Sequence, residues 1–261
     1  MHWIQNNGLT YLQFPALSLE PDFFHGIFLS YTRNSPGRIT GFNLGTGCGT
    51  PDDTVARNRR RMLNVFGNGL TGVYAHQVHG TQVGIWNTGQ PGSTAVRLEG
   101  DALMSARTGG ALVIQTADCQ SIIVVDPAKR VVANIHSGWR GSIGNIIGRT
   151  VETMAATYGS RPGDLICGIG PSLGPCCAEF VNYRQEIPRP YWRYRRSGDY
   201  FDFWRVSADQ LTKSGVRGAN IHVAGICTKC NQHLFFSYRG DRQTGRFATV
   251  VGIQSRPEGK L

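Results

Sequence analysis

The chain has 261 residues, 40% hydrophobic and 17% charged, which is enough apolar content to bury a core and too much for a disordered chain. Its 27 Lys and Arg against 17 Asp and Glu leave a net charge of +10, which favours anionic partners such as phosphate, nucleotides or nucleic acid. The longest apolar runs, 111–114 and 122–125, are far short of the roughly 20 residues of a membrane helix, and the start at Met1-His2-Trp3-Ile4 lacks the basic and apolar blocks of a secretory signal, so no membrane partner and a cytoplasmic location are expected.

The 34 glycines punctuate short Val- and Ile-rich runs, the pattern of many short strands joined by tight turns. In chain order, strands are predicted over 25–31, 72–78, 110–115, 121–126, 131–136, 165–169, 221–226 and 248–253. Three helices are set among them. The first begins at Asp52-Asp53-Thr54, with acidic residues where the helix dipole favours them, and runs to Phe66; its arginines between Arg57 and Arg61 read as a solvated face. The second follows Gly141, with Ser142 as N-cap and Ile143, Ile146, Ile147, Val151, Met154 and Ala155 on one face. The third starts at Ser207 and stops near Gly215. Between the last two, residues 184–196 shift to Pro, Arg and aromatic residues and read as a long ordered loop.

The stretch 115–141 concentrates the chemistry. One predicted strand ends in Thr116-Ala117-Asp118-Cys119, another ends in His136, and Ser137-Gly138-Trp139-Arg140-Gly141 leads into the second helix. Strand ends followed by glycine turns and helix starts are where α/β sheets bind ligands, and Arg140 adds a full positive charge there, so the segment reads as a phosphate or carboxylate pocket. Upstream, His76 and His79 end a further strand. Positions three apart in an extended segment face opposite ways, so only one is a candidate ligand, and His79 is favoured because Gly80 opens the backbone beside it.

The segments QVHG (77–80), TADC (116–119), HSGWRG (136–141), GIGPSLGPCC (168–177) and CTKCNQHLFFSYRGDRQTGR (227–246) resemble the YfiH-type family, also called the laccase-domain or polyphenol-oxidase family. Tyr31-Thr32-Arg33, Phe42-Asn43-Leu44-Gly45 and Asp52-Asp53 follow its opening pattern, so the resemblance covers nearly the whole chain in order. The chain departs from that pattern at Gln120-Ser121, where an apolar residue and proline are usual, at Phe42, where serine is usual, and over 184–196, which has no counterpart in it. The resemblance implies a single α/β domain over 1–261 with layered mixed β-sheets flanked by helices, of α-β-β-α type. It implies zinc held by His79, Cys119 and His136, and phosphorolysis of purine nucleosides with adenosine deamination beside it. Arg33, Asn43 and Arg140 are the implied substrate or phosphate contacts.

Two imidazoles and a thiolate suit zinc, and a fourth position left open makes such a site catalytic. The ion would keep Cys119 deprotonated and acidify a water for deamination, while Arg140 would help to hold phosphate near the sugar C1′. Copper enters only if the chain is a polyphenol oxidase, and seven histidines are too few for a multicopper site. The residues also admit a cysteine hydrolase using Cys119 and His136, a cell-wall precursor editing factor, and a nucleic-acid binder using Arg184, Arg189, Arg193, Arg195 and Arg196 interleaved with Tyr191, Trp192 and Tyr194. The purine nucleoside and phosphate reading is preferred over nucleic acid. Cys227 and Cys230 form a single CxxC. Structural zinc needs a second pair and Cys176-Cys177 are adjacent, so these are read as packed thiols rather than a second metal site. His222 and His233 are read as structural.

Overall fold

The computed structural model describes residues 1–34, 38–87 and 95–255, without the side chains of Arg33, Asn34 and residues 38–40. Its strands are β1 (His2–Asn6), β2 (Leu9–Gln13), β3 (Phe23–Asn34), β4 (Arg38–Gly41), β5 (Thr71–His76), β6 (Val83–Ile85) and β7 (Val96–Glu99). They continue as β8 (Ala102–Ser105), β9 (Gly110–Thr116), β10 (Gln120–Asp126), β11 (Val131–Ser137), β12 (Ile166–Ile169), β13 (Ile221–Val223) and β14 (Phe247–Ile253). The helices are α1 (Pro15–Ser18), α2 (Asp52–Asn64), α3 (Trp139–Ile143), α4 (Ile146–Tyr158), α5 (Tyr183–Glu186) and α6 (Phe203–Lys213).

The strands form two mixed sheets. One runs β1-β2-β3-β14-β9-β5-β7 with β4 beside β3, and the other runs β13-β12-β10-β11-β8-β6. Strand periodicity sorts the side chains into layers. On β9, Leu112 and Ile114 point into the core between the sheets while Ala111 and Val113 point to the opposite face; on β10, Ile123 and Val125 point inward while Ile122 and Val124 point outward. Both faces of both strands are therefore apolar, which is why these runs read as continuous hydrophobic blocks rather than alternating ones. Met62 of α2 packs on the outer face of the first sheet. Ile147, Val151 and Met154 of α4 and Leu211 of α6 pack on that of the second. The order is helix, sheet, sheet, helix, as the resemblance implies. Asn134 of β11 ties the two sheets together, its amide donating to Leu112 O at 3.0 Å and Thr249 O at 2.8 Å.

All eight predicted strands are present, with shifted ends. The strand expected over 72–78 stops at His76, and that over 221–226 stops at Val223. Strands β1 and β2 escaped the apolar-run criterion because Gln5, Asn6 and Thr10 interrupt them, although Asn7-Gly8 between them, both with positive φ (51° and 73°), is a strong hairpin signal.

The helix starts also differ. The N-cap of the third helix is Asp202 rather than a residue near Ser207: its carboxylate accepts the Arg205 N–H at 3.0 Å, and Phe203 and Val206 anchor the first turn. The second helix is two helices. The five-residue α3 is followed by α4, which Asn145 caps in the left-handed region by accepting the Gly148 N–H at 3.2 Å, while the Ser142 hydroxyl donates back to Gly138 O at 3.2 Å. On α2, Arg59 and Arg61 do not face solvent freely. Arg59 donates to Leu44 O at 2.8 Å and lies over the Tyr74 ring, and Arg61 donates to the Thr32 hydroxyl at 3.1 Å.

Candidate metal centre

Strands β5 and β9 are parallel neighbours, so their C-terminal ends meet at one edge of the first sheet, and the chain crosses to the second sheet in the turn Ala117-Asp118-Cys119. That turn needs Asp118 at φ 89°, a conformation few side chains adopt. Three contacts fasten it: Thr228 donates to Asp118 Oδ1 at 2.6 Å, the Arg239 N–H to Oδ2 at 2.6 Å, and the Leu173 N–H to the Asp118 carbonyl at 2.8 Å. Cys119 is thereby presented between the two sheets. His136 reaches the same point from β11 of the second sheet, and His79 from the loop after β5.

The donor atoms of His79, Cys119 and His136 all lie within 4.8 Å of one another, with His79 exposed, Cys119 half-buried and His136 buried. Cys119 Sγ is 3.7 Å from His79 Nε2. His76, three residues earlier, turns away to pair with Glu99 at 2.9 Å. The separation of the two histidines has a backbone cause. His79 is outside the strand at φ 62°, and the carboxylate of Asp101 holds it there by accepting the N–H groups of Val78 (3.2 Å), His79 (2.9 Å) and Gly80 (2.7 Å).

Asp101 was not expected from the sequence. It is fully buried and precedes β8, whose pairing of Ala102 with Ile135 puts Asp101 directly beside His136. Its Oδ1 accepts from His136 Nδ1 at 2.8 Å. Burial pushes this carboxyl up, but the His136 hydrogen bond and the loop amides outweigh it, so Asp101 sits below the usual carboxylate range and is the acceptor. Nδ1 of His136 therefore carries the proton and Nε2 faces the other two donors, the arrangement by which carboxylates orient metal-ligating imidazoles. An acid set between Gly100 and an apolar strand was the available signal.

Electrostatics within the trio follow from the same contacts. Burial pushes the Cys119 thiol up, but the adjoining His136 and His79 more than reverse this and bring it down to about 6. Burial pulls His136 down, but the Cys119 thiolate and Asp101 raise it to about 9. Without a metal this is a Cys119 thiolate paired with a His136 imidazolium, so ligation would use the thiolate as it stands and displace the Nε2 proton of His136. Gly138 leaves the room: a Cβ there would stand 2.7 Å from His79 Cδ2 and 3.1 Å from Cys119 Sγ. Two imidazoles, one thiolate and an oriented carboxylate fit a single thiophilic or borderline ion such as zinc.

The trio lines a cavity of about 980 Å³. Arg97, Arg140, Arg239, Arg242 and Arg246 also line it, together with the aromatic rings of Trp139, Phe180, Phe203 and Tyr238. Gln120 lies in its wall, accepting the Ser207 hydroxyl. Arg140 is exposed and stacked 4.2 Å over the Trp139 ring. It sits in α3 and not at the start of the long helix, so the expected contribution of that helix's N-terminus is lost and Arg140 acts through its own charge. Asn43 does not line the cavity. Its amide closes a turn, accepting the N–H groups of Gly45 at 2.9 Å and Arg246 at 2.7 Å. Arg33 lies on β3, and its side chain is outside the described residues.

The four remaining cysteines of the two predicted motifs are not two separate pairs of packed thiols. Sulfurs of Cys176, Cys177, Cys227 and Cys230 converge within 4.8 Å of one another, because the loops that carry them pair at Ser172 and Cys227. Adjacency of Cys176 and Cys177 does not prevent convergence, since both sit in a tight turn closed by Cys177 N–H to Gly174 O at 2.9 Å. The aromatic residues of 184–196 are turned inward: Tyr194 is buried beside Tyr183 and Phe201, and Tyr191 donates to Ile143 O at 3.0 Å. They are committed to packing rather than displayed for stacking on bases.

The two-sheet α/β scaffold thus carries a His, Cys, His trio that could hold a metal ion, set in an arginine-lined cavity. Residues 25–254 match the family model described as multi-copper polyphenol oxidoreductase laccase, and the chain belongs to that family. It is 32% identical to YlmD of Geobacillus stearothermophilus, named a purine nucleoside phosphorylase, over 244 residues covering 87% of this chain and 89% of the relative. A purine nucleoside phosphorylase of Deinococcus radiodurans is 31% identical, with 95% of each chain covered. The crystal structure of YlmD from G. stearothermophilus superposes with a TM-score of 0.81, covering 97% of this chain and 99% of that one at 29% identity.

Proposed function

We propose that the protein is a zinc-dependent purine nucleoside phosphorylase that also deaminates adenosine, acting in the cytoplasm. The observation that carries this reading is the convergence of His79, Cys119 and His136 in a cavity with five arginines, in a chain whose relatives are named for this reaction. In phosphorolysis a phosphate oxygen bonds to C1′ of the sugar while the C1′–N bond to the purine breaks, its electron pair leaving with the base. The enzyme must therefore bind an anion and a flat base together.

His79, Cys119 and His136 would hold the zinc, which when bound supplies Lewis-acid charge to fix an anion or acidify a water. Asp101 keeps the His136 imidazole in the tautomer and orientation that ligation needs. Arg140 supplies a forked, always-charged donor for phosphate oxygens. Phe180, Phe203 and Tyr238 offer apolar surface for a purine.

The test is metal analysis of purified protein together with products from adenosine, with and without phosphate. About one zinc per chain should be lost in each of His79→Ala, Cys119→Ala and His136→Ala, since three ligands leave no redundancy. Ribose 1-phosphate and adenine should form only with phosphate, and inosine in its absence. A Cys119→Ala protein with this zinc and full activity overturns the assignment.

A second reading is favoured by one observation: Asp101, His136 and Cys119 also line up as orienter, base and thiolate, the order of a cysteine hydrolase. Chelation separates the two, because a thiol hydrolase keeps its activity after metal removal and loses it to alkylation.

A further inference from the structure

We propose that Cys176, Cys177, Cys227 and Cys230 form a second, structural metal site, a tetrathiolate centre for zinc that is separate from the His79, Cys119, His136 trio. Cys230 Sγ is 3.6 Å from Cys176 Sγ and also 3.6 Å from Cys177 Sγ. A disulfide needs one partner at about 2.05 Å, and one sulfur equidistant from two others is not poised to choose. Four sulfurs around one zinc at about 2.3 Å are separated by about 3.8 Å along each tetrahedral edge, close to the distances here.

The backbone supports the same reading. The N–H groups of Gly174 (3.3 Å) and Cys230 both point at the Cys227 sulfur. Amides aimed at a buried cysteine from both loops stabilise a thiolate, the form that binds metal. Cys176 and Cys230 are exposed, so an ion can reach the site, and four soft thiolates select a thiophilic metal over magnesium or calcium.

The position gives such a site a purpose. Loops 171–178 and 226–231 are already joined by Ser172 N–H to Ile226 O at 3.2 Å and Thr228 N–H to Ser172 O at 3.0 Å. Each then reaches Asp118, Leu173 through its N–H and Thr228 through its hydroxyl, and Asp118 precedes Cys119. An ion clamping the two loops fixes the support of the turn that presents Cys119. The tetrathiolate site does not depend on the proposed activity of the other centre.

The experiment is metal analysis and native mass spectrometry of the full chain purified with reductant, beside the variants Cys230→Ser, Cys176→Ser and Cys119→Ala. Wild type should hold about two zinc ions per chain. Each of the first two variants should fall to about one, with a lower Tm, and Cys119→Ala should also fall to about one, leaving a sulfur-only zinc shell by X-ray absorption. If Cys230→Ser fails to fold, the wild-type absorption spectrum still decides, since two equally occupied sites average to about 2.5 sulfurs and about 1.5 other donors per zinc, against about one sulfur for the His79, Cys119, His136 site alone. One zinc in wild type, removed by Cys119→Ala and untouched by Cys176→Ser, overturns the proposal. So does a mass two hydrogens light, which marks a disulfide, or iron in place of zinc.

Discussion

The carboxylate of Asp101 accepts from the Nδ1 of His136 at 2.8 Å while its two oxygens gather the amides of Val78, His79 and Gly80. One buried side chain therefore sets the tautomer of one candidate ligand and the backbone of another. Losing it disturbs two of three ligands at once. Asp101→Asn should weaken zinc binding 10–100-fold, as outer partners of metal ligands commonly do, measured by competition with a chromogenic chelator. Unchanged affinity would mean that the loop and imidazole are held by other contacts.

Gly138 is the second determinant. A Cβ would crowd His79 and Cys119 together, so Gly138→Ala should cost about 1–3 kcal/mol of stability in the metal-free protein and lower zinc occupancy. Urea unfolding with and without zinc reads both effects. Retention of full occupancy would show that the His79 loop moves aside freely.

Arg140 separates phosphate binding from the rest of the chemistry. Arg140→Ala removes a charge-assisted contact worth roughly 1.5–3 kcal/mol, so KM for phosphate should rise about 10–150-fold while that for the nucleoside changes little. Arg140→Lys should restore part of this, because a point charge lacks the guanidinium fork. Phosphate-independent deamination should survive in part. Equal loss of both activities would assign Arg140 to the fold or the metal site instead.

His25 provides a pH dependence away from the site. It is buried on β3 with Nε2 accepting the Phe14 N–H at 2.9 Å, and burial pulls its imidazole down to about 4. An unfolded histidine titrates near 6.5, so above that pH both states are neutral and stability is flat; as pH falls from about 6.5 to about 4 the unfolded state takes up the proton first. Up to roughly 3 kcal/mol should be lost across that window. Denaturant titrations at pH 7.5 and 4.5 should show it, and His25→Gln, which can still accept from Phe14, should reduce the slope. An equal slope in the variant would place the acid sensitivity elsewhere.

The sequence by itself determined much of this protein. Runs such as Ala111–Ile114 and Ile122–Val125 are apolar at every position, and that is a local property sufficient to declare strands buried on both faces. The glycine-bounded ends of those strands pointed to Cys119, His136 and Arg140, and the ordered set of family segments pointed to His79 as their partner. Tertiary structure decided what depends on register and on contacts distant in sequence. Asp101 reaches His136 only because β8 pairs with β11, and a carboxylate 35 residues away leaves no periodic trace. The four cysteines are likewise legible as two short motifs, Cys176-Cys177 and Cys227-x-x-Cys230, but their union depends on two loops meeting at Ser172 and Cys227. Backbone capping fixed the remaining difference. Asn145, in a left-handed conformation and accepting the Gly148 N–H, divides the predicted second helix into α3 and α4 and leaves Arg140 on the short α3, because Asn caps as well as the Ser142 that local sequence also offers.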